Sequence, residues 1–189
     1  MKRTRALLAL LPVAMVAGLL TSCTAAPTSA IEGIECAPEG DISKSLEFTG
    51  AFGEADLKLK TKTPIKATKI EASTLIEGDG EQVKENDALA AQLTIFDGAT
   101  GEVVSSEAST LELNAEKLLP WALEIVACAS VGDRVAAAAP VADVLGENAA
   151  SFGLEATDSL VIVFDMLSVD KPVAEPGSLE PTDLLEKAV

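Results

Sequence analysis

The stretch LVIVFDML, residues 160–167, constrains the fold of this chain more than any other. All of its residues but Asp165 are apolar, and Val161, Ile162, Val163 and Phe164 are types that favour extended backbone. The run is too short for an ordinary helix. Residues on both alternations are apolar, so neither face of the strand suits water. Such a strand belongs at the centre of a sheet that is covered on both sides.

The rest of the chain supplies short, mostly half-exposed strands around it. Residues 45–49 and 56–61 read as strands split by a turn at Gly50 and Gly53. In the second, Leu57, Leu59 and Thr61 alternate with Lys58, Lys60 and Lys62, the pattern of an exposed edge. Residues 67–76 form a further strand that stops at the turn signal Glu77-Gly78-Asp79-Gly80. Residues 88–96, the loop Asp97-Gly98-Ala99-Thr100-Gly101 and a return over 102–106 read as a hairpin, followed by a brief strand at 110–113. The one convincing helix spans 118–129. Pro120 suits its first turn, and Leu119, Leu123 and Val126, with Leu118, Trp121 and Ile125, fall near helical spacing. Val131-Gly132-Asp133 then turns into a strand at 134–139. The sum is an α+β fold, an antiparallel sheet of about five or six strands against one short helix.

The two ends read differently. Lys2, Arg3 and Arg5 precede an uncharged apolar run, residues 6–20. That run is shorter than the ~20 residues a membrane span needs and suits a secretory leader. It ends in Leu20-Thr21-Ser22-Cys23, which resembles the lipobox of bacterial lipoproteins, where the cysteine is acylated and the leader is cut before it. The expected organisation is a leader (1–22), a flexible tether (23–43), one domain (44–169) and an acidic tail (170–189). Lipidated Cys23 would hold the domain on the outer face of the cell membrane without spanning it. The 14 basic residues include three in the leader, which leaves 11 against 30 acidic and a net charge of −19. A chain this acidic lacks the basic footprint of a nucleic-acid binder. Cys36 and Cys128 remain, either as a disulfide suited to an exported protein or as two free thiols. With no histidine in the chain, neither a two-cysteine zinc site nor a Ser-His-Asp site can be completed. The acids Glu77, Asp79, Glu81, Glu85 and Asp87 do not have EF-hand spacing.

The segments GDGEQVKENDALAAQLTIFDGATGEVVSS (78–106), LLPWALEIVACASVGDRVAAAAPVADVLG (118–146) and DSLVIVFDMLSV (158–169), in that order, resemble the FKBP-type peptidyl-prolyl isomerases. LEFTGAFGEADLKLKTKTPIKATK (46–69) resembles the lead-in of their exported lipoprotein members. The resemblance implies a half-barrel sheet wrapped around one short helix, with an apolar pocket between them and no cofactor or metal. It places the pocket at Leu93, Val104, Ser105, Leu118, Leu119, Trp121, Leu145 and Ile162. The family's tryptophan falls on Ala122, one residue past Trp121, if the Val131-Gly132 turn sets the register. Most of the family's aromatic and hydroxyl groups are absent from these positions.

That absence bears on the chemistry. Rotation about an X–Pro bond crosses a barrier of ~18–20 kcal/mol, set by partial double-bond character. It needs an apolar pocket with well-placed hydrogen bonds and no nucleophile or proton shuttle. Three readings follow. The chain binds exported polypeptides or proline-containing peptides with weak or no isomerase activity, or it is an active isomerase, or it is a tethered structural domain with Trp121 in its core.

Overall fold

A computed structural model describes residues 28–170. The leader, Cys23, the first residues of the expected tether and the tail beyond Asp170 lie outside the described residues. The elements are α1 (Asp41–Lys44), β1 (Phe48–Thr49), β2 (Lys58–Leu59), β3 (Glu71–Ile76), β4 (Ala88–Asp97), β5 (Val103–Glu112), α2 (Pro120–Val126), β6 (Arg134–Pro140), α3 (Val141–Val144), a 3-10 turn (Gly146–Phe152) and β7 (Ser159–Asp170). The fold is α+β. Five antiparallel strands run in the order β3-β6-β7-β4-β5, and β1 and β2 form a separate small pair.

The apolar run takes the central place that its composition demands. On one face Leu160, Ile162, Phe164 and Met166 of β7 join Leu89 and Ala91 of β4 and Val135, Ala137 and Ala139 of β6. Ala122, Leu123, Ile125 and Val126 of α2 close over them. Each Leu, Val or Phe fully buried there contributes about 1.5–3 kcal/mol. On the other face Val161, Val163, Phe96 and Ala136 are covered by Leu46, Leu57 and Ile65 from the N-terminal region. The charged residue in the run, Asp165, also lies on this second face. It meets Arg134, its cross-strand partner on β6, through two bonds of 2.6 and 2.7 Å. The pair is fastened to the loop above it. Arg134 donates to the Ala51 carbonyl (3.0 Å), and Asp165 accepts from the Gly53 N–H (2.6 Å).

Four features differ from the sequence reading. The expected return strand and brief strand are one continuous β5, paired with β4 from Val103 to Glu112. Its polar middle suits a strand at the sheet's edge, which has water beside it. The helix is shorter than residues 118–129. Leu119 is its extended N-cap, and the helix stops at Val126, just before disulfide-linked Cys128. The segment after β6 forms two elements with no counterpart among the expected ones, α3 and a 3-10 turn. Finally, residues 28–43 are not a free tether. Ile31 is in the helix-side core, Ala37 N–H donates to the Glu124 carbonyl (2.9 Å), and Cys36 is bonded to Cys128 with Cα atoms 5.7 Å apart. The apolar anchors Ile31 and Ile34 and the disulfide fix a segment whose largely polar, aperiodic sequence suggests freedom.

The turn before β6 is held as tightly. Asp133 accepts from the N–H groups of Gly78 and Ser130, both at 2.7 Å. Gly78 lies against the backbone of Val131 and Gly132, where a Cβ would have no room.

Candidate functional site

The helix-facing side of the sheet brings most of the expected pocket residues to one border of the core. Leu93, Val104, Leu118, Trp121 and Leu145 are partly buried and pack against it. Leu93 comes from the middle of β4. Val104 occupies the bulge where β5 pairs with Ile95 and Phe96. Leu118 and Trp121 flank the start of α2, and Leu145 caps α3. Ser105 is half-buried and stands opposite Ile95, on the same face.

Two positions differ from the expectation. Ile162 is fully buried inside the helix-side core. Leu119 is 58 % exposed. Its extended N-cap backbone takes it out of the helical repeat that would have turned it inward. Ala122, the place the resemblance gave to a tryptophan, is buried under the helix, and Trp121 stands beside it at the border.

Sequence reading missed two neighbours of Leu93. The residue across from Leu93 on β7 is Phe164, and Ile162 instead faces Ile95. Phe164 is buried on the helix side, so an aromatic ring does lie beside Leu93. On the other flank Leu93 pairs with Glu107 of β5, which puts an exposed carboxylate at the edge of the same row. Alternation along residues 160–164 was enough to put Phe164 on the face of Ile162. The pairing of β7 with β4 was not written in either strand.

The site's polarity is spare. The Trp121 indole Nε1 is buried and finds no acceptor among the described residues. A buried donor without a partner is unfavourable by about 1–3 kcal/mol, so a ligand that opens this border and brings a carbonyl to it would relieve it. The exposed side chain of Leu119, two residues earlier, offers apolar surface next to it. A separate cleft of about 300 Å³ lies at the far end of β4 and β5, lined by Asn86, Ala88, Glu112, Asn114 and Lys117. Its polar groups are engaged with one another, Asn114 with Asn86 at 2.8 Å and Lys117 with Glu112.

No family model and no curated protein matches the chain. Among solved structures it is similar to the N-terminal domain of FKBP42 from Arabidopsis thaliana, with 13 % identity, 60 % of this chain and 96 % of that one covered, and a TM-score of 0.46. It is also similar to a peptidyl-prolyl cis-trans isomerase from Pseudomonas syringae pv. tomato, with 16 % identity, coverage of 59 % and 85 %, and a TM-score of 0.47.

Proposed function

We propose that the chain is an FKBP-like lipoprotein, tethered through Cys23 to the outer face of the cell membrane. It binds apolar, proline-containing segments of exported polypeptides, with weak or no isomerase activity. The observation that carries the binding role is the buried, unpartnered Trp121 N–H at the border of the helix-side core. A peptide carbonyl would accept from Nε1, while the neighbouring side chain packs against Leu93, Leu118 and Leu145. The leader and its Cys23 support the tether, and the Cys36–Cys128 bond suits an oxidising compartment.

Weak catalysis follows from the residues at the border. An apolar wall can favour the twisted amide, but Leu93 and Leu145 have no hydroxyl with which to orient it. Phe164 beside Leu93 favours the second reading, an active isomerase, because it restores one aromatic ring to the row.

Two measurements on the full chain separate the readings. Trp121 fluorescence is titrated with short proline peptides, and their cis-to-trans rate is followed with and without the protein. Saturable binding with little acceleration is the expected result. Strong acceleration that is lost in Trp121→Ala would establish the isomerase, and no binding at all would leave only a structural domain.

A further inference from the structure

The two edges of the five-stranded sheet are treated differently. The β3 edge is closed by the chain itself. Ala72 N–H donates to the Pro38 carbonyl (3.0 Å), Ser43 N–H donates to Glu71 Oε1 (2.8 Å), and the Ser43 and Ser73 hydroxyls meet at 2.8 Å. Among the described residues the β5 edge is open from Val103 to Leu111. Half of the residues of an edge strand turn their N–H and C=O away from the sheet. Among the described residues these groups of β5 meet no other backbone until Glu112, whose carbonyl accepts from Asn114 N–H (2.8 Å).

An open edge of this length is a template for another strand, and proteins normally blunt it with lysine or proline. Here Val103–Glu112 contains neither, and its centre is Ser105, Ser106, Ala108, Ser109 and Thr110, small side chains that admit a neighbour closely. The charges on the strand itself have one sign. Glu107 and Glu112 are on the strand, Glu102 precedes it, and Glu54 and Asp56 flank Ala55, whose carbonyl accepts from Ser106 Oγ at 3.1 Å. The nearby cation Lys117 is already paired with Glu112.

We infer that β5 is a docking strand for an extended, basic segment of another polypeptide, which adds to the sheet as a sixth strand. Backbone hydrogen bonds supply the register-specific contact, as in other strand additions, and the carboxylates select Lys- or Arg-bearing segments. The same carboxylates disfavour a second copy of this chain, because two β5 edges would set like charges side by side.

The test uses the full chain and a labelled, proline-free decapeptide that alternates Lys with Val or Thr, read by fluorescence anisotropy. Saturable binding is expected, with little for the peptide that carries Glu in place of Lys. N-methylating alternate peptide amides in one phase weakens binding by about tenfold or more, and in the other phase leaves it nearly unchanged, because only one set of amides faces β5. Glu107→Lys weakens binding with an unchanged circular dichroism spectrum. Equal binding of both methylated peptides would mean charge attraction without strand pairing and would overturn the inference. So would displacement of the decapeptide by a short proline peptide, or self-association through β5 that Glu107→Lys strengthens.

Discussion

Removing one nitrogen from Trp121 should separate stability from binding. In the free protein the indole N–H is buried without an acceptor among the described residues, a penalty of about 1–3 kcal/mol. Trp121→Phe removes that donor but also part of the ring's packing, about 1 kcal/mol of apolar burial. The two changes oppose each other, so stability should stay within about 1 kcal/mol of the parent. Trp121→Ala removes the ring altogether and should lower stability by about 2–4 kcal/mol. Binding moves differently. If a peptide carbonyl accepts from Nε1, Trp121→Phe loses a bond worth about 0.5–1.5 kcal/mol net, a two- to thirteenfold rise in Kd. Stability is read by guanidinium unfolding with far-ultraviolet circular dichroism, since the fluorophore is gone, and affinity by anisotropy of a labelled proline peptide. A Trp121→Phe protein as destabilised as Trp121→Ala would show that the N–H is already satisfied in the free fold. Unchanged affinity would show that no ligand atom reaches it.

Three further outcomes test the frame that holds the site. Replacing both Cys36 and Cys128 by serine opens a bridge with a sequence separation of 92 and should lower stability by about 2–5 kcal/mol in urea unfolding, a difference that disappears when the parent is reduced. Arg134→Met leaves Asp165, 2 % exposed, with only the Gly53 N–H of its three bonds, and should destabilise by about 3–5 kcal/mol. Adding Asp165→Leu should recover at least about 1 kcal/mol of that loss, and a double mutant that is merely additive would argue against a coupled pair. Gly78→Ala forces a methyl group onto the Val131 and Gly132 backbone and should lower the thermal midpoint with a loss of about 1–3 kcal/mol.

The architecture was legible wherever a local pattern had one physical solution. The double-sided apolarity of residues 160–167 required a central strand with both faces covered, and β7 lies third of five with a helix-side core below and the N-terminal layer above. The hairpin glycines and the Val131-Gly132 turn likewise stand where the chain reverses. The N-terminal layer was harder to read. Ile31 is a single anchor in a polar stretch, and nothing in its surroundings announces the core it meets, whereas Cys36 was legible as a half-cystine because Cys128 was the other cysteine left to pair with it. Composition averages over a segment, whereas packing depends on the one residue that reaches the core.

The site was less legible than the fold for a related reason. Whether Leu93 stands beside Ile162 or Phe164 depends on the register of β4 against β7, and a shift of two residues keeps every side chain on its own face. Alternation is therefore blind to it. The register is settled by the whole length of the strands, including the bulge at Ala90 and Ala91 that lies beyond the site. A second register, that of β4 against β5 with its bulge between Ile95 and Phe96, brings Glu107 level with Leu93. The pairing with β7 decides whether the wall contains an aromatic ring, and the pairing with β5 decides where this carboxylate lies. In a site with so few polar groups, those two facts govern what can bind; one comes from a local hairpin and the other from strands far apart in the chain.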